Sequence, residues 1–167
     1  MSNTIIRADK LTKVYGKVKV VNEFDLEVKR GHIYGLIGPN GAGKTTIMKM
    51  MAGLTSVTKG SMEFFDDKNL DKNRPRMSFM IENPILDINM TARENLEYVG
   101  YLKGIPSQEK YDEILEFVGL GKVGKKRAGH FSLGMRQRLG IAMAIVSEPE
   151  VLVLDEPVNG LDPEGIV

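Results

Sequence analysis

The sequence has no cysteine and no tryptophan, and neither sign of charge predominates. The absence of cysteine excludes disulfides and thiolate zinc sites, which is consistent with a reducing compartment. Because 23 basic residues are balanced by 22 acidic ones, the chain as a whole does not attract nucleic acid or an anionic membrane. The apolar runs are too short to span a bilayer, and the charged N-terminal segment is not typical of a signal peptide. We therefore expect a soluble, cytosolic protein.

Strand-like and helix-like segments alternate along the 167 residues, of which 42% are hydrophobic. Short strands are predicted at 4–8, 18–21 and 61–65, and the alternation of apolar and acidic residues at 24–28 predicts a strand with one exposed face. Continuous apolar runs predict strands buried on both faces at 33–37 and 151–154. Helical spacing is found at 45–52, 91–102, 111–118 and 133–146. The pattern predicts an α/β fold in which a core, 1–65 and 131–167, has a small antiparallel β portion and a mainly helical insertion, 66–130.

A glycine-rich segment between the predicted buried strand and the following helix has the spacing of a phosphate loop. Its residues are Gly38, Pro39, Asn40, Gly41, Ala42, Gly43, Lys44 and Thr45. Glycines allow several backbone N–H groups to converge on phosphate oxygens, and the helix N-terminus adds positive potential. Lys44 would contact the β and γ phosphates, and the Thr45 hydroxyl would bind Mg²⁺. The alternative is a glycine-rich turn with a solvated lysine.

Two acidic residues follow the predicted strand at 151–154. Asp155 is in a position to supply a carboxylate to Mg²⁺, and Glu156 to orient or deprotonate an attacking water. The alternative is that these residues only begin a loop or cap a helix. Together with the phosphate loop, they favour nucleotide hydrolysis.

These motifs together resemble the nucleotide-binding subunit of ABC transporters over nearly the whole chain, with an α/β phosphate-loop NTPase core. The resemblance extends the phosphate loop to Thr46 and implies that Tyr15 stacks on adenine, although by spacing alone Tyr15 is equally a turn aromatic. It implies that ATP and Mg²⁺ are bound, with Thr45 and Asp155 as metal ligands and Glu156 as the catalytic residue. In such a subunit, a signature loop like that at 131–135 places Ser132 and Gly134 against ATP held by a second copy. Asp162, in a Gly-Leu-Asp sequence, matches the loop that crosses to that copy.

Two departures distinguish the sequence from the usual family pattern. Leu133 and Met135 replace a glycine and a glutamine of the signature, and Glu82 stands where the family has a glutamine in the loop entering the helical subdomain. A glutamate at 82 can still reach Mg²⁺ but adds negative charge near the triphosphate. Both departures are similar to the subgroup that exports antimicrobial peptides such as bacitracin and lantibiotics.

The resemblance also implies partners and a location. We expect a transmembrane permease subunit and a second copy of the ATPase as partners, no nucleic acid, and a cytoplasmic position on the inner face of the cell membrane. A non-transport ATPase of the same superfamily and a regulatory module that binds ATP without turnover are the alternatives. The basic run at 125–127 is interpreted as a solvated surface.

The family pattern continues beyond residue 167 with a strand and a histidine that contacts the γ-phosphate. We therefore expect the sequence to be a C-terminally truncated piece with negligible hydrolysis and a tendency to aggregate. The missing strand would lie between the strands at 33–37 and 151–154. We accordingly expect these two strands to be about 10 Å apart with unpaired edges, or joined by an abnormal contact or by another chain's strand.

Overall fold

A computed structural model describes residues 3–158 of the chain. The predicted trans-acting loop containing Asp162 lies outside these described residues. The chain divides into two compact units, Met1–Arg76 and Met77–Val167, and each is described by itself. The predicted division into a core and a helical insertion stays a prediction.

The first unit is built on a three-stranded antiparallel sheet with two helices. Its elements are β1 (Thr4–Tyr15), β2 (Val18–Lys29), α1 (Lys44–Met51), β3 (Lys59–Phe64) and α2 (Leu70–Asn73), followed by a 3₁₀ turn (Arg74–Arg76). The strand order is β2-β1-β3, so β1 is central. Leu11 and Phe64 are fully buried and belong to the core of this unit. The sheet is the small antiparallel β portion that the sequence predicts.

Strands β1 and β2 are each longer than the sequence pattern predicts. Lys10 and Glu23 adopt left-handed φ angles of 45° and 48°, and the β1–β2 register shifts around Leu11. Such shifts are β-bulges, which interrupt the period-2 pattern without ending the strand. The two predicted strands at 18–21 and 24–28 are therefore one strand with a bulge between them.

The predicted buried strand at 33–37 is wrong for this structure. The segment has no regular secondary structure, and Ile33 and Ile37 are almost fully exposed, at 102% and 93%. A strand buried on both faces requires neighbouring strands and a covering layer, and no strand among residues 3–158 pairs with this segment. The expected spacing of about 10 Å between this strand and the one ending before Asp155 therefore has no counterpart here.

Within residues 77–158, the second unit combines three α-helices with a short parallel strand pair. Its elements are β4 (Met77–Met80), α3 (Ala92–Leu102), α4 (Gln108–Phe117), two 3₁₀ turns (Gly121–Val123 and Ala128–His130), α5 (Leu133–Ile145) and β5 (Val151–Leu154). The three helices enclose a core that includes Leu96, Tyr111, Leu120 and Leu139. None of the helices among residues 3–158 has the length and apolar character needed to cross a membrane.

Side chains cap the N-termini of the three helices of the second unit among residues 77–158. Thr91 caps α3 in a reciprocal capping box with Glu94. Ser107 and Ser132 cap α4 and α5 through hydrogen bonds from backbone N–H groups three residues later. These caps fix where each helix begins, because each satisfies a backbone donor that otherwise has no partner within the helix.

Strand β4 lies in the segment for which the sequence predicts helices. It pairs in parallel with β5, with Met77 opposite Val151 and Met80 opposite Leu154. The four-residue sequence of β4 has no β-branched residue, so its strand conformation depends on pairing with a partner 74 residues later (151 − 77). This pairing brings the ends of the two strands to one edge of the sheet.

Candidate functional site

The predicted phosphate loop leads directly into α1. Gly43, the N-cap residue of α1, has a left-handed φ of 88°, and Gly41 has a φ of 81°. Among the described residues, no side chain caps this helix N-terminus. Glycines supply the two left-handed conformations at low steric cost, and the uncapped helix start presents backbone N–H groups that an anion can accept. The loop geometry therefore suits a phosphate group.

Gly43 also fixes the loop against the sheet. A Cβ atom at this position would lie 2.7 Å from the Val20 carbonyl oxygen and 3.0 Å from Val21 Cγ2, both in β2. Such a contact to backbone cannot be relieved by a side-chain rotation. Glycine is therefore required at 43 for close approach to β2 as well as for its φ angle.

Lys44 folds back over the loop. Its Nζ donates to the carbonyl oxygens of Gly38, at 2.7 Å, and Pro39, at 3.0 Å. An ammonium group has three donors, so these two bonds within the described loop leave one for a phosphate oxygen. The half-buried Lys44 is thus held at the loop by the loop's own carbonyl groups.

The remaining first-unit candidates lie on or near the same elements. Thr45 and Thr46 are half-buried in the first turn of α1, and Pro39, Asn40 and Ala42 are exposed in the loop. Tyr15 ends β1 with its side chain 48% exposed. The Tyr15 hydroxyl lies 3.2 Å from Thr55 Oγ1, and the Lys13 ammonium lies 4.8 Å from the ring centroid. The exposed ring is compatible with stacking on a base, and that role stays a prediction.

The signature residues form the start of α5 in the second unit. Ser132 is exposed, and its Oγ accepts a hydrogen bond from the Met135 backbone N–H at 3.2 Å. Gly134 is half-buried in the first turn, and Leu133 is 53% exposed. The Ser132 hydroxyl and this helix N-terminus therefore occupy one exposed surface, as a phosphate contact to another subunit requires.

The predicted carboxylates gather where β4 and β5 end. Because the strands are parallel, the residues after Met80 and Leu154 lie at the same edge of the sheet. Glu82 and Glu156 each follow two residues later, and each has a left-handed φ, of 62° and 48°. Asp155, between strand and glutamate, is 5% exposed, and its N–H donates to the Met80 carbonyl at 2.8 Å. Each of the two strands is thus followed, two residues later, by a glutamate with a left-handed φ angle.

The donor set at this edge fits magnesium. Carboxylate and hydroxyl oxygens are hard ligands, and Mg²⁺ typically takes one or two carboxylates together with phosphate oxygens and water. Within residues 3–158, no three histidine, cysteine or acidic side chains are arranged to hold a metal by themselves. Such a cage is not expected for Mg²⁺, so Asp155 and Glu82 at this edge are compatible with a metal that arrives with a nucleotide. Thr45 lies in the first unit, and its role as a metal ligand stays a prediction.

Sequence reasoning missed one buried polar contact of this edge. Gln137, in α5, is 3% exposed and donates from Nε2 to the Glu156 carbonyl oxygen at 3.2 Å. A glutamine within a helix that otherwise faces a core is the available sequence signal, because a buried amide needs a hydrogen-bond partner. Its partner could not be identified from the sequence.

The chain is similar in sequence to ATP-binding proteins of transporters. The family model described as ABC transporter matches residues 21–159. The bacitracin transport ATP-binding protein BcrA of Bacillus licheniformis is 49% identical over 98% of this chain and 55% of its own length. The lantibiotic transport ATP-binding protein SrtF of Streptococcus pyogenes is 42% identical over 97% of this chain and 70% of its own length.

The similar solved structures, like the sequence relatives, are ATP-binding proteins of transporters. An ATP-binding subunit of an ABC transporter superposes with a TM-score of 0.84 at 30% identity, covering 98% of this chain and 70% of that one. The chain spans about half the length of the bacitracin transport relatives it matches. The described geometry, the family match and these relatives agree in fold, which is α/β with a phosphate-loop NTPase core. The chain belongs to the ABC transporter family of ATP-binding proteins.

Proposed function

We propose that this chain binds MgATP and that, in a complete dimeric subunit, it hydrolyses ATP to drive export through a membrane partner. The observation that carries the proposal is the phosphate loop, in which left-handed glycines, an uncapped helix start and Lys44 meet. In this proposal Lys44 binds the β and γ phosphates, the loop N–H groups surround them, and Tyr15 stacks on adenine. Thr45, Asp155 and Glu82 hold Mg²⁺, which supplies charge neutralisation of the phosphates.

Glu156 is the proposed catalytic residue. It would accept the proton of an attacking water, or orient that water, at the edge where Asp155 binds the metal. The buried position of Asp155 supports this assignment, because its main chain is fixed by a 2.8 Å bond to Met80. Ser132 and Gly134, with Asp162 in the sequence beyond, would complete the site of a second copy.

The membrane partner and the cargo are proposed from the relatives. Two of these relatives are named for bacitracin and lantibiotic transport, so we propose an antimicrobial peptide as the exported substrate. A permease would carry the peptide, and this chain would lie on the cytoplasmic face of the membrane. A solved relative is described as part of the transporter complex cbiONQ, which supports assembly with other subunits.

Replacing Lys44 by alanine tests nucleotide binding. Removal of one charge-assisted phosphate contact costs about 2–3 kcal/mol, which corresponds to an affinity loss of about 30- to 150-fold. Calorimetry with MgATP on the full-length protein measures this loss, and Lys122→Ala, at an exposed lysine of the second unit, is the matched control. Unchanged ATP affinity in a folded Lys44→Ala protein would contradict the proposal.

A further inference from the structure

A partly buried hydrogen bond joins helix α5 to Glu156, two residues after the end of β5. Gln137 lies five residues after the cap residue Ser132 and is 3% exposed. Its Nε2 donates to the main-chain carbonyl of Glu156 at 3.2 Å. An amide that is removed from water to this extent requires a hydrogen-bond partner. The partner of the Gln137 amide is the main-chain carbonyl of Glu156.

The backbone of Glu156 is in a conformation that needs such support. Its φ of 48° is left-handed, a conformation that is unfavourable for a residue with a Cβ. Conformations of this kind persist where the surrounding structure fixes them. Here the preceding residue is fixed by the bond from the Asp155 N–H to Met80, and the following peptide by the bond from Gln137. The two bonds hold Glu156 from both sides.

We propose that Gln137 is a positioning residue for Glu156: it holds the Glu156 peptide in the left-handed conformation that places the carboxylate for reaction. The proposal rests on the proposed function, in which Glu156 acts on the attacking water. Gln137 is not a catalytic residue, because its observed contact is to main chain. Loss of the Gln137 hydrogen bond should therefore lower the rate of the chemical step while leaving the affinity for ATP unchanged.

Other contacts hold α5 in place when Gln137 is changed. A Cβ at Gly140, three residues later, would lie 2.4 Å from Pro84 Cβ and 2.9 Å from Met80 Sδ, so the helix packs closely on the loop after β4. Leu139 is fully buried in the core of the second unit. The exposed start of α5 at Ser132 should therefore stay in position. A variant of Gln137 that only positions Glu156 should then keep the contacts of Ser132, whereas a variant that disrupts the structure of α5 should lose them.

The test uses Gln137→Met in the full-length protein, since methionine has a similar length and no donor. We expect kcat for ATP hydrolysis to fall by about 10- to 100-fold, the range caused by displacement of a catalytic group, with KM changed less than about twofold. The matched control is Gln108→Met, because Gln108 contacts Arg93 on α3, away from this edge. In a Glu156→Gln background, ATP-induced dimerisation should be unaffected by Gln137→Met.

A second variant, Gln137→Glu, provides a pH readout. An ionised carboxylate cannot donate to the Glu156 carbonyl, whereas a protonated one can. The activity of this variant relative to wild type should therefore rise as the pH is lowered. Unchanged kcat in both variants, or loss of ATP-induced dimerisation together with kcat, would overturn the positioning role. Absence of hydrolysis by the wild-type protein would instead overturn the proposed function on which it rests.

Discussion

Substitution of Gly43 by alanine perturbs the phosphate loop at its junction with the sheet. The left-handed φ of 88° costs about 1–2 kcal/mol in a residue with a Cβ. The new Cβ would also lie 2.7 Å from the Val20 carbonyl oxygen, and overpacking of this kind typically costs about 1–3 kcal/mol. Together these terms predict a destabilisation of about 2–5 kcal/mol, which is large against a typical total of about 5–15 kcal/mol.

Two other glycines separate the two contributions. Gly16 and Gly41 are also left-handed, but a Cβ at either would meet nothing within 4 Å. Alanine at Gly16 or Gly41 should therefore cost only the conformational term of about 1–2 kcal/mol. Gly41→Ala should in addition weaken ATP binding, because the left-handed backbone at Gly41 belongs to the proposed phosphate loop, whereas Gly16→Ala should not.

Urea unfolding of the full-length wild type and the three variants measures these costs as shifts of the midpoint at a common slope. The expected order of stability is wild type, then Gly16→Ala and Gly41→Ala together, then Gly43→Ala. If Gly43→Ala were as stable as Gly16→Ala, the close approach of the loop to β2 would not contribute, and the steric part of the reasoning would be refuted.

Two further predictions concern the second unit. In a full-length Glu156→Gln protein, Ser132→Arg should abolish the ATP-induced dimer, because a bulky side chain would occupy the exposed helix start; an undiminished dimer in light scattering would show that Ser132 makes no contact in trans. The hydrogen bond from the Thr91 N–H lowers the pKa of Glu94. The stability that ionised Glu94 adds to the fold is therefore complete above the ordinary carboxyl pKa of about 4.3 and is lost as the pH falls through the lowered pKa. The stability difference between wild type and Glu94→Gln should accordingly shrink between about pH 5 and pH 3, and a constant difference in urea midpoints would contradict this origin.

Features that depend on neighbouring residues could be predicted from the sequence. The capping box of Thr91 and Glu94 identifies the start of α3, because both partners lie within four positions. The spacing of the phosphate loop likewise places Lys44 at the start of α1. In each case the residues that determine the conformation are contiguous, so the pattern contains the necessary information.

Features that depend on partners distant in the sequence could not be predicted from it. The segment 33–37 has the composition of a buried strand, yet that conformation requires neighbours that only the fold supplies. Strand β4 has the opposite problem, because Met77–Met80 has weak strand preference and is extended through pairing with β5. The bond from Gln137 to Glu156 spans 19 residues, and no local pattern indicates it.

Helix α5 accordingly connects the two proposed functions of the second unit. Its exposed first turn holds Ser132, the proposed contact to ATP of a second copy, while its next turns contact Glu156 through Gln137 and the end of β4 through Gly140. A helix transmits displacement along its axis because its hydrogen bonds keep successive turns at fixed spacing. In this arrangement, docking of a phosphate at Ser132, as proposed, would bear on the same rigid element that fixes the Glu156 peptide. Dimer closure and placement of the catalytic carboxylate would then be coupled through Gln137. On this reasoning, Gln137→Met should leave closure intact and separate it from hydrolysis.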